Sequence, residues 1–276
     1  MPLAGATELL AAAERGGYAV PGFNVSNLEL AQGVLAAAEA KRSPIFLQFN
    51  PGNLEHFGGV EMAGTVARAL AMRATVPVAV HLDHAPSVAL VRQAIRAGFT
   101  SVMFDGSTFP LERNRRETML AYAAAQEGRL GLEAELGHVG GREPGVRTSE
   151  AALTDPESAA LFVQATRVDS LAVSIGTAHG MAGEIRLDLL QELRAATRGL
   201  PLVLHGGSGV KPHDLKAAVL GGIRKVNIST EIHAAFTAAI AGATGSDPRP
   251  ALRAGRDAVA QVATDRIDLL GAAQRA

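Results

Sequence analysis

Eight times along the chain a short run of β-forming apolar residues halts at a turn and is followed by a stretch with apolar residues at helical spacing. The strand-like runs fall at 18–24, 44–49, 78–85, 99–104, 130–136, 170–175, 201–204 and 225–228. Helical patterns follow at 28–40, 60–72, 87–97, 111–127, 156–166, 187–197, 212–220 and 231–241. A further short helix at 7–15 precedes them, and a tail helix at 252–270 follows Asp247-Pro248-Arg249-Pro250. Asn27 and Asp155 stand where N-caps are needed, and Ser229-Thr230-Glu231 reads as a capped helix start. Alternation of this kind without a linker predicts an α/β fold, a (β/α)8 TIM barrel with an additional C-terminal helical tail, forming one domain over 1–276. A doubly wound sheet is the alternative, and it would have to gather all its functional groups at one crevice.

The bulk properties narrow the function. At 276 residues the chain can bury a large core, and its net charge of -1 has no basic patch to favour nucleic acid or a membrane surface. Absence of cysteine excludes disulfides and thiolate metal sites, leaving His, Asp and Glu as ligands. No signal-like start and no apolar run approaching about 18 residues is present, so a cytoplasmic protein is expected.

In a barrel, chemistry collects where strands end. The third strand ends on Asp83-His84, the sixth runs into Gly176-Thr177-Ala178-His179-Gly180, and the seventh into His205-Gly206-Gly207-Ser208-Gly209. Three imidazoles at corresponding points predict a metal centre of three histidines with an open position. Imidazole suits zinc best and also accepts cobalt, iron or nickel. His56, His81, His138, His213 and His233 share no such placement and read as structural or exposed. On the fifth strand Glu133 and Glu135 share one face, and buried carboxylates there require partners. The glycines after strand seven offer backbone N–H groups to a phosphate, and Asn227-Ile228-Ser229-Thr230 after strand eight adds hydroxyls at a helix N-terminus, together an anion site. The Gly-rich segment 137–145 reads as a long loop of the kind that closes over a site.

These motifs, with Glu133-Ala134-Glu135-Leu136-Gly137, resemble in order those of the zinc-dependent class II fructose-bisphosphate aldolases, a family that includes tagatose-bisphosphate aldolases. The resemblance runs from about Tyr18 to the tail. It implies a lyase of glycolysis that splits fructose 1,6-bisphosphate into dihydroxyacetone phosphate and glyceraldehyde 3-phosphate. It implies further that His84, His179 and His205 bind Zn2+, with Asp105 and Glu135 able to take a second cation. Asp83 would be the acid/base at the C4 hydroxyl, and Glu143 the acid that moves the C3 proton. Gly180, Gly206, Gly207, Ser208, Asn227, Ile228, Ser229 and Thr230 would surround the triose phosphate, and Asn24 would touch substrate. Arg249 would reach the distal phosphate of a neighbour in a homodimer or homotetramer. The chain departs from many members at Met181-Ala182-Gly183-Glu184, where they carry an aromatic and a Lys, and at Ser229, where they carry Asp.

Three readings compete with the fructose bisphosphate lyase: an aldolase for tagatose 1,6-bisphosphate or another ketose phosphate, a metal-dependent hydrolase, and a sugar-phosphate binding protein. No residue type reads one hydroxyl configuration. The phosphate loops weigh against the hydrolase, and Asp83 together with Glu143 weighs against binding alone.

Overall fold

The structure, a computed structural model, describes residues 3–140, 152–177 and 184–276. In chain order the elements are α1 (Ala6–Gly16), β1 (Val20–Asn24), α2 (Leu28–Lys41), β2 (Ile45–Phe49), α3 (Pro51–His56), α4 (Val60–Arg73) and β3 (Val78–Ala85). There follow α5 (Val88–Arg96), β4 (Ser101–Phe104), α6 (Leu111–Glu127), β5 (Leu132–Leu136), α7 (Pro156–Thr166), β6 (Ser170–Val173) and α8 (Leu187–Ala196). The last are β7 (Leu202–Leu204), a single 3-10 turn at Gly207–Gly209, α9 (Pro212–Leu220), β8 (Ile223–Ile228), α10 (Thr230–Ile240) and α11 (Arg249–Leu269). The strands close in sequence order into one parallel barrel, β1 pairing with both β2 and β8. The fold is thus the expected (β/α)8 TIM barrel with its helical tail.

Every strand residue is buried, because one face meets the helices and the other the lumen. Inside the barrel Met103, Ala172 and Val203 form a small apolar cluster separate from the main core between sheet and helices. Much of the remaining lumen is polar: Gln48, His81, Asp83, Glu133, Glu135, Lys225 and Asn227 are all buried. Helix starts follow the sequence signals in part. Asn27 accepts from Leu30 N at 2.8 Å, Ser87 from Leu90 N at 3.3 Å and Asp155 from Ser158 N at 2.8 Å. Two local expectations change. Asn50 and Asn53 form a reciprocal capping box that starts α3, a helix hidden in the sequence by Pro51-Gly52. Ser229 precedes α10 without a capping bond from its own side chain.

The tail finds its surface within the chain. Helix α11 packs across α2 and α10, burying Val259 and Ile267, and its apolar face therefore does not call for a second subunit. Gly33 of α2 permits the close approach: a Cβ there would stand 2.6 Å from the Arg256 carbonyl oxygen. Beyond α11 the chain is stitched to the end of α2, with Gln274 N donating to Lys41 O and Ala276 N to Arg42 O, both at 2.9 Å. No described helix is long and apolar enough to cross a membrane.

Candidate active site

Strand alternation brings Asp83 into the lumen with His81, and would turn the next residue, His84, away from it. A register irregularity between Leu82 and Ala85 in the β3–β4 pairing prevents this, and His84 adopts a left-handed backbone with φ 48°. Such bulges re-aim side chains, and a non-glycine residue held at positive φ marks strain retained at a site. The result is that consecutive residues of one strand both serve one pocket. Ligand atoms of Asp83, His84 and His205 lie within 4.8 Å of one another, and so do those of His84, Asp105 and Glu135. The rings of His84 and His205 meet edge to face at 4.6 Å.

Each charged group is held by neighbours. Asn24 Nδ2 donates to Asp83 Oδ2 at 2.8 Å, and Asn227 Nδ2 to Asp83 Oδ1 at 3.1 Å. Gln48 Nε2 donates in turn to Asn24 Oδ1 at 2.8 Å. His84 Nδ1 lies 2.7 Å from Asp105 Oδ2, whose other oxygen accepts from Ser107 N at 2.9 Å. Ser107 Oγ stands 3.0 Å from His138 Nδ1. On the far side of the lumen Glu133 reaches His205 Nε2 at 3.0 Å and Lys225 Nζ at 2.8 Å.

The electrostatics follow from this packing. Burial alone would raise the Asp83 carboxyl, but His84, then Lys225, His205 and His81, hold it well below the usual carboxylate range. Burial opposes charge on His84, yet Asp83, the hydrogen-bonded Asp105 and Glu135 raise it well above its ordinary value. His205 is lowered by burial and by His84, and hydrogen bonds to Glu133 and Glu135 outweigh both and bring it up to about 9. For Glu133, burial raises the carboxyl and Lys225 overrides it, to about 2.

Asp83, Glu133 and Glu135 are buried and Asp105 nearly so, and the fixed cation among them in the described residues is Lys225. The pocket demands more positive charge, which a divalent ion can supply in place of imidazole protons. Imidazole and carboxylate donors without thiolate fit zinc.

Among the residues expected at the site, His179, Gly180 and Glu143 lie outside the described residues. Asn24 and Asn227 reach the pocket, where they hold Asp83. The two loops expected to receive a phosphate come together: Ser229 N donates to Ser208 Oγ at 3.3 Å. Gly206 is left-handed at φ 70°, and a Cβ on Gly207 would stand 2.4 Å from Val226 Cγ1, so the turn closes tightly on β8. Thr230 opens α10, while the Ile228 side chain belongs to the apolar core, so any contact with an anion would come from its backbone. Arg249 is exposed and holds Asp247, its Nη2 2.8 Å from Oδ2. Sequence reasoning gave no site role to Lys225, His81 or Gln48, although Lys225 shares a strand face with Asn227 and His81 with Asp83, residues it did assign.

Comparison with known proteins agrees with this architecture. The sequence profile of the family described as Fructose-bisphosphate aldolase class-II matches residues 4–275. A fructose-bisphosphate aldolase of Streptococcus pyogenes is 38% identical over 296 aligned residues, covering 100% of both chains. One from Geobacillus stearothermophilus is 38% identical over 286, covering 100% of this chain and 99% of its own. Among solved structures, the YdjI aldolase from Escherichia coli K12 superposes with a TM-score of 0.89 at 35% identity over 99% of each chain. The fructose-bisphosphate aldolase of Campylobacter jejuni does so with a TM-score of 0.83 at 25% identity, over 99% of this chain and 97% of its own. By whole-length profile match and by near-complete alignment with these relatives, the chain belongs to the class II fructose-bisphosphate aldolase family.

Proposed function

We propose that this protein is a zinc-dependent lyase that reversibly cleaves fructose 1,6-bisphosphate to dihydroxyacetone phosphate and glyceraldehyde 3-phosphate, acting as one domain in the cytoplasm. The observation that carries the reading is the setting of Asp83: a buried carboxylate kept ionised, pinned by Asn24 and Asn227, beside the paired imidazoles of His84 and His205. His84 and His205, with His179, would hold the ion, and Asp105 with Glu135 would accept a second cation. A zinc ion there supplies a Lewis acid for the negative charge that develops as the C3–C4 bond breaks.

Asp83 takes the proton of the C4 hydroxyl in cleavage and returns it in condensation. Its two carboxamide donors fix the carboxylate so that no reorientation is needed when the sugar arrives. Backbone N–H groups of Gly206, Gly207 and Ser208, with the start of α10 from Thr230, receive the triose phosphate, and the lack of a capping bond from the Ser229 side chain leaves that helix end for an anion. Gly180 would complete this cradle, and Glu143 would move the proton at C3 of the triose. We further propose a homodimer or homotetramer in which Arg249 exchanges Asp247 for a phosphate at a neighbour's mouth, a reading supported by family likeness.

Purified protein should be assayed for aldol cleavage of fructose 1,6-bisphosphate and of its C4 epimer tagatose 1,6-bisphosphate, with and without chelator. Cleavage lost on chelation and restored by zinc, with the circular dichroism of the barrel retained, is the expected result. Full activity after metal removal would overturn the zinc reading, and activity confined to the epimer would reassign the substrate.

A further inference from the structure

We propose that Glu133 and Lys225 are positioning residues for the metal centre: Lys225 anchors Glu133, and Glu133 holds the Nε2–H of His205, so that His205 presents Nδ1 to the ion. The inference rests on the reading of His205 as a metal ligand. It begins from a backbone fact. Strand β7 ends at Leu204, and Gly206 is already left-handed, so His205 sits at a break in regular structure where strand pairing does not set its ring. A side-chain partner has to do so.

Glu133 divides its two oxygens between two tasks. Oε1 lies 3.0 Å from His205 Nε2, and Oε2 accepts from Lys225 Nζ at 2.8 Å. The partners come from β5, β8 and the residue just after β7, and β5 is the hydrogen-bonded neighbour of neither β7 nor β8, so these contacts span the lumen. Relative exposure is 0% for His205 and Lys225 and 3% for Glu133, so bulk solvent does not reach the arrangement. A neutral imidazole has one N–H and one lone pair. With the N–H committed to Glu133, the lone pair falls on Nδ1, on the side where Glu135 Oε2 lies at 3.4 Å. With an ion bound, the opposite tautomer would place a proton where the cation sits and leave Glu133 Oε1 without its 3.0 Å donor. Carboxylates that orient ligating histidines in this way commonly tune a metal site.

Lys225 has a second effect. His81, Asp83 and Glu133 bring their own ligand atoms within 4.8 Å of one another, a grouping that could itself attract an ion. The Lys225 ammonium contacts two of the three, at 2.8 Å from Glu133 and 3.3 Å from His81 Nε2. A tethered cation thereby satisfies this inner cluster, and the diffusible one is directed to the mouth.

The test compares full-length wild type with His205→Ala, Glu133→Gln and the double variant Glu133→Gln/Lys225→Met. Three readouts are taken: zinc affinity by chelator competition, melting of the metal-free protein, and imidazole nitrogen shifts by 15N NMR. The two Glu133 variants should each lose about 10–100-fold in zinc affinity. They should do so alike, although the double variant, with no unpaired buried ammonium, melts higher than Glu133→Gln. In the zinc-loaded wild type His205 should carry its proton on Nε2. Wild-type zinc affinity in folded Glu133→Gln, recovery of affinity in step with melting temperature, or a proton on His205 Nδ1 would each overturn the inference. Wild-type affinity in His205→Ala would instead remove the ligand reading beneath it.

Discussion

Two residues of β3 show opposite uses of burial. Asp83 is kept charged by the cations around it, whereas His81 is kept neutral, lowered to about 3 by burial and then by Lys225. Because Lys225 can only donate, His81 Nε2 must accept, and His81 Nδ1 then faces Ser101 Oγ at 2.6 Å with its proton. Asp83→Ala should keep zinc and lose cleavage by about two to four powers of ten, the usual contribution of a general acid or base. Near-normal turnover would rule out that role. For His81 the folded value lies below the ordinary 6.5, so between these values the unfolded chain binds a proton the folded one does not. Stability from this residue is full above 6.5 and lost as pH falls toward about 3. The steepest loss is about 1.4 kcal/mol per pH unit. Urea midpoints at pH 7.5 and 5 should therefore fall further for wild type than for His81→Gln, and equal slopes would contradict the assignment. The meeting of Asp83, His84 and His205 at one point was legible in the sequence because each sits where an apolar run stops. His81 and Lys225 were not, since an isolated polar residue within a strand does not disclose which lumen partner it will meet.

Elements were legible for a related reason: a strand buried on both faces must be written in apolar residues, and a turn must end it. Helices α6, α7 and α9 begin and end where their periodicity does, while β1 starts two residues later than the apolar run at 18–24. Helix α3 was missed because Pro and Gly read as breakers, although Pro is welcome in the first turn once Asn50 caps it. The opposite error occurred at α10, where hydroxyl residues suggested a cap that does not form. Packing of α11 on α2 depends on Gly33, and Gly33→Ala should destabilise the fold by about 1–3 kcal/mol through overpacking. Lower melting temperature with unchanged turnover per folded molecule is the expected outcome. An unchanged or raised melting temperature would show that the two helices can part at no cost.

For the whole molecule, closure of the barrel was implied by the eightfold alternation, but the destination of the tail was not, because an amphipathic helix does not state whose surface it covers. Its apolar face is spent within the chain, so the proposed association would have to rest on other surfaces and on Arg249. Arg249→Ala should raise the KM for the bisphosphate while leaving exchange of the triose C3 proton nearly unchanged, since only the former has a distal phosphate. Equal losses in both assays, or a fully active monomer by light scattering, would exclude a shared site. The seam between β1 and β8 has a kinetic corollary. During synthesis Glu133 is made 92 residues before Lys225, and His81 precedes it by 144. Until the eighth strand emerges, acidic groups destined for the lumen have no ammonium to meet, and the first strand has only one neighbour. A nascent chain stopped before β8 thus cannot close over its own charges, and catalytic competence arrives together with the final strand.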